Sequence, residues 1–149
     1  MLNFGDDLCN ITDLVPESQM SVLIVEDDQA IAELYAMKLR MDGFTVHQAA
    51  DATTARVIFE RARPKVVCVD TRLPDVSGVH AAELFVQAGA LVILLTNDQD
   101  SYEQPPEGVA RSLLKARTTP TQLSSAILGL LLASARSGGE GRRFQPGQN

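Results

Sequence analysis

Three consecutive acids, Glu26, Asp27 and Asp28, follow the apolar run Ser21 to Val25, and a fourth acid, Asp70, follows the run Val66 to Val69. Thr96 closes the run Leu91 to Leu95, and Lys115 closes Arg111 to Leu114. Clustered carboxylates repel one another unless a cation joins them, and an all-oxygen donor set suits Mg²⁺ with several waters retained. Phosphoryl transfer needs an oxygen nucleophile, a metal on the phosphoryl oxygens and fixed positive charge for the rest. Asp70 can be that nucleophile, since a carboxylate can form an aspartyl phosphate. Lys115 would supply a point charge and Thr96 a hydroxyl. No base is required, because a carboxylate is already ionised near pH 7. Taken singly, none of these residues is informative. The acids suit the positive end of a helix, Thr96 suits a strand end, and Lys115 suits a solvated surface.

Joint placement changes that reading. Ser21 to Val25 is β-branched and apolar without alternation, which suits a strand buried on both faces. From Ala30 the spacing turns helical, with Ile31, Leu34, Tyr35, Lys38 and Leu39 on one stripe until Asp42-Gly43 stops it. Asp28 is expected only to cap this helix. Phe44 to Gln48 alternates as a second strand. Asp51 can cap a helix carrying Ala55, Ile58 and Phe59 inward, ended by Pro64. Val66 to Val69 is a third strand that delivers Asp70 at its carboxyl end. Gly78 opens a third helix through about Ala88, and Leu91 to Leu95 is a fourth strand. Arg111 to Lys115 is expected as the fifth. Thr118 or Thr119 then caps a last helix with Pro120 at its first position, running to about Ala135. Between strands four and five, Pro105-Pro106 cannot continue a helix, so the fourth helix should be very short or a loop.

Strands alternating with helices predict an α/β fold with a doubly wound, five-stranded parallel sheet. In such sheets ligands gather at the carboxyl ends of the strands, near the reversal of strand order. Glu26, Asp27, Asp70, Thr96 and Lys115 all fall at those ends. Residues 1–20 are expected as an N-terminal arm, residues 21–135 as the domain, and residues 136–149, rich in Gly and polar groups, as a flexible tail.

The 149 residues suffice for one core. The net charge of −6 argues against direct nucleic-acid binding. Cys9 and Cys68 are far apart and in no metal-binding spacing, so neither a disulfide nor a zinc site is expected, and Cys68 reads as a core residue. His47 and His80 have no partners at ligand spacing. The first twenty residues lack the basic start and apolar block of a secretory leader, and Leu123 to Ala135 is shorter than the roughly 20 apolar residues of a membrane span. A cytoplasmic protein without membrane contact is expected.

The motifs VLIVEDD, VVCVDTRLPDVSG, LVILLTND and SLLKA, in that order, resemble the receiver domain of bacterial two-component response regulators, a flavodoxin-like fold, over about residues 21–135. The resemblance implies Asp70 as phosphoacceptor, Asp27 as direct metal ligand and Glu26 as a ligand through water. It makes Thr96 the switch hydroxyl, Lys115 the phosphate-contacting lysine, and the backbone carbonyl of Arg72 part of the metal shell around Mg²⁺. Pro74 and Gly78 stand where the family's phosphorylation loop has them. A histidine kinase or histidine phosphotransfer protein is the implied donor. The chain would not be an enzyme beyond its own phosphorylation and dephosphorylation.

Several positions depart from the family. Ala116 follows Lys115 where proline is usual, Ser112 replaces an aromatic, and Asn97 replaces a small residue and is expected to crowd the acyl phosphate. Two readings follow. One is a stand-alone receiver that signals through protein contacts with a downstream target. The other is a phosphorylation-independent module that keeps the pocket. An aspartate phosphatase of the haloacid-dehalogenase type would need an acid where the chain has Arg72. Leu128 and Leu132 widen the apolar stripe of the last helix beyond one face, which suggests a homodimer through that helix.

Overall fold

The computed structural model describes the backbone of residues 15–148 and the side chains of residues 15–135. Five strands, β1 (Ser21–Val25), β2 (Thr45–Ala49), β3 (Val66–Asp70), β4 (Leu91–Thr96) and β5 (Arg111–Leu114), form one sheet in the order β2-β1-β3-β4-β5. Every neighbouring pair is parallel. The helices are α1 (Gln29–Met41), α2 (Ala52–Ala62), α3 (Gly78–Gln87), α4 (Gln99–Glu103) and α5 (Pro120–Gln148).

The unalternating apolar runs are explained by a core on each face of the sheet. Val22, Ile24, Val66, Cys68, Ile93 and Leu95 point to one side, where Tyr35 and Leu39 of α1 and Leu123, Ile127 and Leu131 of α5 cover them. Leu23, Val25, Val67, Val69, Val92 and Leu94 point to the other, under Phe59 of α2 and Phe85 of α3. The Phe59 and Phe85 rings meet at a 5.2 Å centroid separation, tilted by 55°. Each fully buried aliphatic side chain contributes roughly 1.5–3 kcal/mol, so both faces are needed to hold strands this short. Cys68 lies within the first core, and burial pushes its thiol up to about 12, which leaves it unreactive.

Local signals fix the helix ends. Asp28 caps α1 by accepting from the amides of Ala30 and Ile31, and Asp51 caps α2 through Thr54. α5 opens with a reciprocal pair: Thr119 Oγ1 accepts from the Gln122 amide, and Gln122 Oε1 accepts from the Thr119 amide. Thr118 is used elsewhere, its carbonyl accepting from the Tyr35 hydroxyl at 3.1 Å. α4 has only five residues and ends before Pro105-Pro106, as the double proline requires.

Several boundaries differ from the sequence reading. β2 starts one residue later, at Thr45. β5 stops at Leu114, and Lys115 opens a 3-10 turn, Lys115–Arg117. Val15 and Met20, within the expected arm, are buried in the α1–α5 core, while residues 1–14 lie outside the described residues. α5 continues as helix to Gln148 through the expected tail. Leu128 and Leu132 pack partly buried against the core. Among the described residues, no helix is long and apolar enough to cross a membrane.

Candidate functional site

Strand order reverses between β1 and β3, and the crevice outside their carboxyl ends is walled by Glu26, Asp27, Asp28, Asp70, Thr71, Arg72, Asn97 and Lys115, with a volume of about 450 Å³. Glu26 is the first residue past β1. Its amide donates to the Ala49 carbonyl at 3.0 Å, extending the ladder by one bond and fixing where the side chain leaves the strand. Asp70 is the last residue of β3, buried like the strand it ends. Asp27, one residue on, is exposed, and carboxylate oxygens of Glu26, Asp27 and Asp70 lie within 4.8 Å of one another.

Lys115 reaches in from the end of β5. Its Nζ lies 2.7 Å from Glu26 Oε1 and donates to Asp70 Oδ2 at 2.8 Å. The remaining carboxylate oxygens take backbone amides: Glu26 Oε2 accepts from Asp28 at 3.0 Å, and Asp70 Oδ1 from Arg72 at 3.1 Å. Glu26 is only 2% exposed. Burial, reinforced by the Asp70 charge, outweighs the lysine and the Asp28 amide and pushes its carboxyl up to about 6. Burial by itself would lower the Lys115 amine, but its two carboxylate contacts outweigh it and hold the amine above its ordinary value.

Two features of these residues fit a hard divalent cation. The donor set is all oxygen, and the Lys115 amine that now holds Glu26 Oε1 and Asp70 Oδ2 at 2.7 and 2.8 Å shows that this cluster binds positive charge. No histidine joins the cluster. His80 instead faces Glu83 across one helical turn of α3.

The loop between β3 and α3 carries Arg72 and is pinned at several points. Arg72 and Ser77 form an isolated antiparallel bridge, and the Gly78 amide donates to the Thr71 carbonyl at 3.0 Å. A side chain at position 78 would collide with the Asp70 carbonyl oxygen and stand 2.6 Å from Thr71 Cα, so the turn closes only over glycine. Asp75 crosses to the start of α2, where its carboxylate accepts from the amides of Ala52 and Thr53 and from the Thr53 hydroxyl at 2.8–3.0 Å. Those bonds, the Ala52 amide foremost, hold its carboxyl down to about 2.

Thr96 is fully buried and stands behind the pocket wall. Its Oγ1 accepts from the Thr71 hydroxyl at 3.0 Å and from the Asp98 amide at 2.9 Å, leaving its own proton to donate. Asn97 does not hang free over Asp70: its Oδ1 accepts from the Ala116 amide at 2.8 Å. Ser112 donates to the Tyr102 carbonyl at 2.6 Å, tying β5 to α4. The structure thus brings together Glu26, Asp27, Asp70 and Lys115, and places Thr96 one hydroxyl away. Thr71, Asp75 and the partner of Asn97 escaped the sequence reading. Asp75 and its partners are more than twenty residues apart with no periodicity linking them. Thr71 could have been noticed as a hydroxyl next to Asp70.

Comparison with known proteins agrees with this geometry. The family profile described as "Response regulator receiver domain" matches residues 22–119. "Probable transcriptional regulatory protein TcrX" of Mycobacterium tuberculosis is 31% identical over 120 residues, 80% of this chain and 51% of TcrX, so the chain spans about half the length of that relative. Among solved structures, the BeF3-activated N-terminal receiver domain of Klebsiella pneumoniae RstA superposes with a TM-score of 0.66 at 28% identity, covering 75% of this chain and 97% of that one. A CheY-like receiver domain protein from Methanospirillum hungatei shares the fold at a TM-score of 0.71 and 24% identity, over 78% and 97% of the two chains. With its parallel sheet in receiver order and its acids at the ends of β1 and β3, the chain belongs to the response regulator receiver domain family.

Proposed function

We propose that this domain accepts a phosphoryl group on Asp70 from a phosphohistidine of a histidine kinase or phosphotransfer protein, in a Mg²⁺-dependent reaction. The observation that carries the reading is the Lys115 amine held between Asp70 and Glu26, 2.8 and 2.7 Å away, with Asp27 at the open rim. An Asp70 carboxylate oxygen attacks phosphorus, the P–N bond to the imidazole breaks, and an acyl phosphate bond forms. The departing imidazole nitrogen keeps the electron pair and takes a proton from solvent.

Asp27, Asp70, the Arg72 carbonyl and, through water, Glu26 would hold the ion, which when bound neutralises charge on the phosphoryl oxygens. Lys115 pairs with one phosphoryl oxygen after leaving Glu26. The free proton of Thr96 is available for another once Thr71 yields. Pinning of the β3–α3 loop, with the Arg72 amide on Asp70 Oδ1, supports a role for the Arg72 carbonyl in the metal shell. The domain catalyses only its own phosphorylation and dephosphorylation, and its output runs through protein contacts in the cytoplasm. The net charge of −6 supports an output without direct nucleic-acid contact by this domain. TcrX is named as a transcriptional regulator and MtrA of Mycobacterium leprae as DNA-binding, but this chain covers only 51% and 37% of them.

A second reading, a phosphorylation-independent interaction module, draws on one observation: Ser112 is bonded to Tyr102 where the family has a mobile aromatic. Intact-mass spectrometry after incubation with Mg²⁺ and acetyl phosphate, beside Asp70→Asn, separates the two. A Mg²⁺-dependent gain of one phosphoryl group, absent in the variant, is expected. No gain with either acetyl phosphate or a panel of phosphorylated phosphotransfer domains favours the module.

A further inference from the structure

Two departures from the family meet in one hydrogen bond. Proline after the lysine has no N–H, whereas Ala116 has one. Asn97 is larger than the usual small residue, and its Oδ1 accepts that N–H at 2.8 Å. The bond joins the residue after Thr96 to the residue after Lys115, so it ties together the two loops that carry the pocket's hydroxyl and its amine. It acts at the opening of the 3-10 turn Lys115–Arg117. The far end of that turn is held separately, by Thr118 Oγ1 donating to the Leu114 carbonyl at 2.8 Å and by the Thr118 amide on the Lys115 carbonyl at 3.3 Å. Among the described residues, Asn97 supplies the one side-chain bond to the backbone amide of Ala116.

We propose that Asn97 is a positioning residue for Lys115, fixing through the Ala116 amide the turn that aims the lysine amine at Asp70 and Glu26. Asn97 and Ala116 together take over the part of a rigid residue after the lysine. Asn97 lines the crevice with Asp70, and its Oδ1 is engaged by the Ala116 amide. The bond thereby links the segments that carry Thr96 and Lys115. The functional side of this inference rests on the phosphoacceptor reading, while the geometric side stands without it.

The test uses the metal-free, unphosphorylated chain first. Lysine ammonium NMR at low temperature reports whether the Lys115 amine is held, and amide exchange reports whether Ala116 is bonded. In Asn97→Ala, the Ala116 amide should exchange faster and the Lys115 ammonium resonance should broaden away. Asn97→Asp, which keeps the acceptor, should restore both. Phosphorylation of Asn97→Ala by acetyl phosphate should slow by about threefold or more, modest beside the roughly 100-fold that a 1 Å misplacement can bring. A Lys115 resonance unchanged in Asn97→Ala overturns the proposal, whatever the rate does. A wild type that takes no phosphate counts against the phosphoacceptor reading alone, because the resonance is read without phosphate or metal.

Discussion

Gly78→Ala is the sharpest test of how the fold builds the pocket. The added methyl would collide with the Asp70 carbonyl oxygen and sit 2.6 Å from Thr71 Cα and 2.7 Å from the Asp70 carbonyl carbon, where ordinary contact begins at 3.4 Å. All three obstacles are backbone, so no rotamer change relieves them. Either α3 or the end of β3 must shift by roughly 1 Å, an overpacking strain of about 1–3 kcal/mol. For a chain of this size that lowers the melting temperature by roughly 3–10 °C. The same shift moves Asp70 and Arg72 relative to Glu26 and Lys115, and a misplacement on that scale costs up to about 100-fold in rate. Thermal unfolding by circular dichroism and phosphorylation followed by intact mass measure the two effects. Gly129→Ala is the control of opposite sign. Gly129 lies within α5, and a methyl group added there would have nothing within 4 Å of it, so alanine should stabilise by up to about 1 kcal/mol and leave phosphorylation unchanged. A Gly78→Ala protein that matches wild type in both melting and phosphorylation would refute the close-approach argument.

Two pH effects of different sign follow from the carboxyl groups. Glu26, up at about 6 from 4.5, binds its proton more tightly in the folded state, so its cost to stability is present above pH 6 and disappears below about 4.5. The shift corresponds to at most about 2 kcal/mol, reduced by solvent screening from the open pocket mouth. Glu26→Ala should flatten the stability profile between those pH values in urea titrations. A profile with the same slope in wild type and variant would contradict the assignment. Asp75, down at about 2 from 3.8, stabilises above pH 3.8, and that contribution is lost as pH falls through 2. Asp75→Asn should melt below wild type at pH 7, with the gap closing as the pH is lowered toward 2. Equal melting temperatures at pH 7 would show that its bonds to α2 add nothing. Adding Mg²⁺ should raise the wild-type melting temperature in a concentration-dependent way, as any ligand of the folded state does, and Asp27→Ala should reduce that rise.

The sequence by itself determined the sheet and the address of the site. Runs such as VVCV and LVILL lack alternation because both faces are covered, and polar residues immediately after those runs have no other place than the carboxyl edge. Asp28 and Asp51 were legible as caps because capping is local in sequence. The short α4 was legible because two prolines forbid anything longer.

What only the tertiary structure decided is every bond made across the chain. Asp75 reaches α2, Asn97 meets Ala116 and Thr71 reaches Thr96 because the parallel sheet stacks their loops at one edge, and no propensity or period encodes such pairings. That Leu128 and Leu132 pack partly against the core was also visible only there, since a helix wheel gives the width of an apolar stripe and not the depth of the groove that receives it. The same holds for Glu26: its identity announced a carboxylate, but only burial beside Asp70, with Lys115 between them, set its proton affinity, because desolvation and charge proximity are properties of packing and not of order along the chain.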